Sequence, residues 1–246
     1  MATATTAKPA SKDAAASSRR RAKRVRENEA IKPKEPLPLL EAVQALKKFK
    51  GPKFDQSVEL CLHLNIDPRQ ADQNIRGSIA LPHGVGKTKR VIAFCPPEQA
   101  KEALEAGAVK AGGEELVAEI EKGFMDFDVA VASPEMMRVV SKLGRVLGPR
   151  GLMPSPKAGT VTKDVATAVR EYAAGKLEFR NDKGGNVHVV VGKMSFPDEK
   201  LVENAEHFIH AIEKMKPSSV KGRFIKKVVL SGTMTPGVVV RWSEGD

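Results

Sequence analysis

Along residues 54–66 the chain alternates apolar and polar positions. Val58, Leu60, Leu62 and Leu64 fall on one face; Ser57, Glu59, Cys61 and His63 fall on the other. A period of two with one dry face predicts a strand in an antiparallel sheet left open on its polar side. The stretch before it is helical in pattern: Leu40, Val43, Leu46 and Phe49 stand near a 3.6-residue spacing in 38–50, and Gly51 and Pro52 end the run. From residue 90 the character changes. RVIAFC (90–95) and DVAVAS (128–133) are short and wholly apolar, as strands buried on both faces are. Helical patterns alternate with them over 96–107, 112–123, 134–147 and 161–174, with Pro134 in a first turn and Gly107 and Gly175 as stops. That alternation predicts a parallel three-layer α/β unit. After residue 175 the first character returns. Residues 176–182 and 186–194 flank Gly184 and Gly185 and predict a hairpin. Residues 196–216 carry Leu201, Ala205, Phe208, Ile212 and Met215 on one helical stripe, and 223–234 and 237–242 predict two closing strands.

The simplest architecture is a discontinuous α+β first domain, 35–84 plus 176–246, with a three-layer α/β second domain, 85–175, inserted in it. The chain then crosses between them near 82–88 and near 158–176. The second crossing holds VLGPRGLMPSPKAGT (146–160), where Gly148 stops a helix and Pro149, Pro154 and Pro156 hold the chain extended. With Arg150 and Lys157 it reads as a stiff, cationic surface connector.

Charge narrows the function. The chain of 246 residues carries 41 Lys and Arg against 30 Asp and Glu, a formal +11 with pI ≈ 9.6. Such a balance favours polyanionic partners. Residues 1–34 hold ten basic residues against Asp13, Glu27 and Glu29, so +7 sits there and +4 is left for the folded body. The segment is expected to be a disordered basic arm that attracts RNA non-specifically. Its Ala, Ser, Thr and Arg content also describes a transit peptide. No apolar run approaches the ~20 residues of a membrane helix, so no membrane partner is expected.

Chemistry of other kinds finds little support. Cys61 and Cys95 lack metal spacing. Of the histidines, His63, His83, His188, His207 and His210, only the last two are close, and no third ligand accompanies them. No metal, no cofactor and no catalytic residue are expected. LPHGVGKTKR (81–90) ends like a phosphate loop with Gly86, Lys87 and Thr88. However, Leu81 stands where the first Gly belongs, and the motif feeds a strand rather than a helix. A nucleotide-dependent enzyme using GVGKT is therefore the rival reading, and an interdomain hinge the simpler one. Three polar clusters remain: KFDQS (53–57), EFRNDKGG (178–185) and SGTMTPG (231–237). They supply donors, small residues that allow close backbone approach, and apolar surfaces for a ribose or base. Those are the parts of shape-based RNA recognition; three ordinary turns on a sheet edge are the alternative.

Read together, FDQSVEL, IDPRQADQNIRGSIALPHGVGK, GFMDFDVAVASPEMM, SKLGRVLGPRGLMPSPKAGTV, EFRNDKGGNVHVVVGKMSF and the closing GTM resemble the bacterial-type L-one family of large-subunit ribosomal proteins, over about residues 35–241. The resemblance implies a discontinuous RNA-binding first domain and an inserted Rossmann-like second domain. It implies a monomer within the large subunit of the cytoplasmic ribosome, organellar import being the lesser reading. The implied partners are the stalk region of large-subunit ribosomal RNA, tRNA leaving the exit site, and the protein's own-operon mRNA, whose translation it would repress. Carried over by position, the RNA-contact residues are Phe54, Ser57, Asp182, Lys183, Thr233 and Met234, with Lys53 and Gly184 beside them. The sequence departs from the family pattern in four places. Ser57 stands for a common Thr, Gly184 for a Thr, Lys227 for a small polar residue and Thr235 for a usual Gly. If the backbone at 235 has a positive φ, threonine there is strained.

Overall fold

The computed structural model describes residues 23–243. Helix α1 (Lys23–Ile31) is followed by α2 (Leu39–Lys48) and strand β1 (Ser57–Leu64). β1 is the alternating stretch, and it is buried at every second residue. It lies in a four-stranded antiparallel sheet ordered β7-β1-β8-β9, where β7 is Asn186–Lys193, β8 is Ile225–Gly232 and β9 is Val238–Val240. The dry face carries Val58, Leu60, Leu62, Leu64, Val187, Val189, Val191, Val228 and Leu230. It packs on Ala42, Val43 and Leu46 of α2 and on Leu201, Ala205, Phe208, Ile209 and Ile212 of α8 (Asp198–Lys214). Each such side chain taken fully out of water contributes about 1.5–3 kcal/mol. Both helices cover this one face, so the other stays open to solvent.

A second structure lies between the crossings. Strands β3 (Val91–Phe94), β4 (Lys110–Gly112) and β5 (Val129–Ala132) form a parallel sheet ordered β4-β3-β5. Side chains alternate across it. Val91, Ala93 and Val131 pack towards α3 (Pro97–Glu105) and α7 (Val165–Ala173), while Ile92, Phe94, Ala130 and Ala132 pack towards α4 (Glu114–Glu121), α5 (Met137–Val140) and α6 (Gly144–Leu147). The fold is thus mixed, with helices and several sheets.

Four expectations are corrected. The hairpin of 176–194 does not form as a paired ladder. β6 (Leu177–Arg180) pairs antiparallel with β2 (Arg76–Ile79), a strand the pattern missed, and only a bridge between Asn181 and Val187 joins it to β7. Gly77 in β2 lets Phe179 come close: a Cβ there would lie 3.0 Å from its ring. The helix of 134–147 is broken into α5, a 3-10 turn at Ser141–Leu143 and α6. Ser141 Oγ donates back to the Arg138 carbonyl at 2.7 Å, and Gly144 disfavours helix. Met215 caps α8 and is exposed rather than joining its buried stripe. The basic arm was expected to be unfolded through residue 34, but 23–31 is helical; the rest of that expectation, 1–22, lies outside the described residues.

Candidate nucleic-acid interface

Antiparallel pairing brings the start of β1, the end of β7 and the end of β8 to one corner of the open sheet. Ser57 stands opposite Lys193, and Val58 opposite Gly232. The Thr233 hydroxyl accepts from Ser57 N–H at 3.2 Å and donates to the Ser57 carbonyl at 3.4 Å, and Thr233 N–H donates to that carbonyl at 3.1 Å. Lys193 Nζ donates to Ser57 Oγ at 2.9 Å. Gln56 is 4% exposed; its Oε1 accepts from Met234 N–H at 2.8 Å and its carbonyl from Met194 N–H at 2.9 Å. Asp55 accepts from Ser195 N–H at 3.2 Å and from Ser195 Oγ at 2.8 Å. With the backbone pinned in this way, Phe54 and Met234 stand 55% and 51% exposed. Large apolar side chains held in the open beside hydroxyls and amines suit a ribose or a base face.

Thr235 is not strained. Among the described residues no non-glycine has a positive φ. Its hydroxyl accepts from Gly232 N–H at 2.9 Å, and its N–H donates to the Gly232 carbonyl at 3.2 Å, closing the turn. Glycine is needed at 232 instead, because a Cβ there would lie 2.8 Å from that hydroxyl.

The structure brings Lys53, Phe54, Ser57, Thr233 and Met234 together, and places Asp182, Lys183 and Gly184 elsewhere. Their turn lies past the far end of β1, where His63 faces Asn186. Seven residue steps along β1 separate the two ends by about 24 Å. Asp182 organises the turn. Its Oδ1 accepts from Gly184 N–H at 2.8 Å and Asn186 N–H at 2.7 Å, and its Oδ2 from Asn186 Nδ2 at 3.0 Å. These donors, those of Asn186 first, hold its carboxyl below the usual range. Asp182 thus orders its own turn while its side chain, like that of Lys183, stays exposed to solvent. Between the ends runs the open face: Glu59, Cys61 and His63 of β1, His188 and Val190 of β7, and Lys227, Val229 and Ser231 of β8. Partial burial, with the Asp182 carboxylate adding to it, raises the pKa of the Cys61 thiol there.

Beside the Ser57 corner, a cleft of about 290 Å³ is lined by Val85, Lys87, Lys89, Asp128, Leu177, Val190 and Lys193. Lys89 donates to the Lys176 carbonyl at 2.8 Å, and burial lowers its pKa. Asp128 is held by Arg90, to whose N–H it accepts at 3.1 Å. GVGKT forms one wall of this cleft and leads into β3, so no helix N-terminus faces a phosphate. Gly86 is explained by packing: its φ is 72°, and a Cβ would meet the Phe196 ring at 2.9 Å. The proline-rich connector closes against β2. Tyr172 Oη donates to the Ala158 carbonyl at 2.6 Å, and Gly159 abuts Ser78. Among the described residues no group of three or more His, Cys, Asp or Glu could hold a metal, and no helix is long and apolar enough to cross a membrane.

Gln56, Lys193 and Asp55 escaped the sequence reading. Gln56 had a signal: it shares parity with Val58 and Leu60, and a polar side chain on the dry face needs partners. Lys193 had none, since its place beside Ser57 arises from strand pairing.

Comparison with known proteins identifies the family. The model of the Ribosomal protein L1p/L10e family matches residues 46–236. The "Large ribosomal subunit protein uL1" of Thermosipho africanus is 56% identical over 203 residues, 82% of this chain and 88% of that one. Its namesake in Kosmotoga olearia is 54% identical over 198 residues, 80% and 86% of the two chains. That in Thermosipho melanesiensis is 55% identical over 203 residues, again 82% and 88%. A corner built to hold Phe54 and Met234 in the open thus occurs in a chain that belongs to the Ribosomal protein L1p/L10e family.

Proposed function

We propose that this chain is a structural protein of the large ribosomal subunit, without catalytic activity, that binds the stalk region of large-subunit ribosomal RNA. The Ser57–Thr233 corner is its primary contact, with Phe54 and Met234 packing on sugar or base. Lys53 and Lys193 meet phosphates there, and Lys183 meets another at the far end of the open face. The observation that carries the reading is the pinning of Thr233 to both backbone groups of Ser57 beneath two exposed apolar side chains. The names of the relatives support the large subunit as its place.

The chain is read as two domains, 35–84 plus 176–246 and a Rossmann-like insert, 85–175. Separate hydrophobic clusters support this: one spans Leu39–Val85 and Leu177–Val240, and the others lie within 91–172. The RNA surface belongs to the first domain. In the cytoplasmic ribosome the protein assists release of deacylated tRNA at the exit site, and the same corner binds a similar structure in its own mRNA to repress translation. The test is equilibrium titration of the full chain with a transcribed stalk stem-loop and with an unrelated hairpin of equal length, at two salt concentrations. The stem-loop is expected to bind more tightly than the hairpin at both salt concentrations. Equal affinity for both RNAs would refute the proposal.

A further inference from the structure

We infer that helix α1 is a fixed wall of the nucleic-acid corner, clamped by Asn28, and that its cations meet phosphates of the RNA bound at Phe54 and Met234. The inference rests on the RNA reading above and adds a segment that lies outside the residues matched by the family. Nine residues fall short of the ~12–15 that an isolated helix needs, so α1 owes its order to docking. Asn28, 1% exposed, provides it. Its Nδ2 donates to the Lys50 carbonyl at 2.9 Å, and its Oδ1 accepts from Lys50 N–H at 2.9 Å. Lys50 Nζ also meets Glu27 at 2.9 Å, which holds the Glu27 carboxyl below its usual range.

The anchor is continuous with the corner. Gly51 follows Lys50, and a Cβ on it would lie 2.8 Å from Gln56 Nε2. Gln56 in turn holds Met234 N–H. Asn28, Lys50, Gly51, Gln56 and Met234 thus form one packed path. Three residue steps from Lys50 to Lys53 reach at most about 11 Å, so α1 stands beside the first phosphate contact. With Glu27 engaged by Lys50, half-buried Arg24 lies one turn before Asn28 on the docked face, Arg26 stands exposed on the outer side, and Arg19, Arg20 and Arg21 directly precede the helix in the chain. Charge held at one place on a surface selects an RNA shape; charge on an untethered tail attracts all RNAs alike.

Two full-length variants test this: Asn28→Ala, which keeps every cation and does not lower helix propensity, and the double Arg24→Gln/Arg26→Gln, which keeps the clamp. Each is titrated against the transcribed stalk stem-loop and the unrelated hairpin at two salt concentrations, with amide exchange followed over 23–31. Asn28→Ala is expected to speed exchange in α1 alone. Both variants are expected to lose about three- to tenfold on the stem-loop, as for one or two phosphate contacts, and far less on the hairpin. Wild-type affinity of Asn28→Ala for the stem-loop would overturn the inference, as would an equal loss of the double variant on both RNAs. Should Asn28→Ala fail to fold by circular dichroism, the double variant decides alone. Wild-type protein that did not discriminate the two RNAs would instead refute the RNA reading itself.

Discussion

Replacing Gln56 by Leu is the sharpest probe of how the corner works, because Gln56 is only 4% exposed and its side chain holds Met234 N–H from within. Leucine keeps the side chain's bulk and apolar stem but offers no acceptor. The donor held at 2.8 Å is then left without its partner in a partly buried place. Leaving a buried donor unpaired costs about 1–3 kcal/mol. The strand end before it stays paired, since Gly232 faces Val58 and Thr233 N–H still reaches the Ser57 carbonyl. The penalty therefore falls on the turn at 233–235, which escapes it by letting Met234 N–H swing to water. Bound RNA demands the ordered turn, so the same free energy reappears as lost affinity. At about 1.4 kcal/mol per decade this is roughly fivefold to a hundredfold on the stalk stem-loop. Non-specific affinity and its salt slope stay unchanged, because no charge has moved. Fluorescence anisotropy with the stem-loop and an unrelated hairpin reads the effect, with circular dichroism as a check on folding. Wild-type affinity, or an equal loss on both RNAs, would refute the positioning role.

Thr233→Val and Met234→Ala should each lower stem-loop affinity by about one to two decades with an unchanged salt slope, read in the same titration. A change of slope would show that charge had been disturbed. Asn204→Leu should destabilise the first sheet and the crossing it ties down. Asn204 is wholly buried, accepts from His83 N–H at 3.1 Å and donates to the Gly84 and Val191 carbonyls at 3.0 and 2.8 Å. Each group left unpaired costs about 1–3 kcal/mol, so the urea midpoint falls while the slope holds; an unchanged midpoint would contradict the assignment. Asp182 gives a pH dependence. Its folded pKa lies below its ordinary value of 3.8, so its contribution to the turn is complete above the unfolded value and is lost as pH falls through the folded one. Order in 182–186, followed by NMR, should loosen only in acid, and in Asp182→Asn that acid step should be absent.

Local pattern determined much of this protein. The alternation of 57–64 specified β1 and which of its faces is dry, and the apolar runs at 91–94 and 129–132 specified strands covered on both sides. Periods of two and 3.6 record which side of a backbone leaves water, and that needs no knowledge of the partner. The proximity of Phe54 to Met234 was not legible in this way. It follows from β1 lying beside β8 rather than beside its sequence neighbour, across a whole inserted segment. For the same reason β6 was assigned to β7 when its ladder is with β2: an extended edge offers hydrogen bonds to any strand, and long-range packing of Phe179 on Gly77 chose between them. The Asp182 turn and Thr233 were both expected at the RNA surface; only the sheet shows that they stand about a strand's length apart, and that the exposed Asp182 carboxylate also accepts from its own turn's backbone. Asn28 and Asn204 looked like unremarkable polar residues in the sequence, and Gln56 showed only its parity with the dry face. Only the tertiary structure buries them, and burial obliges each amide to find partners, which makes them the clamps of helix, corner and crossing.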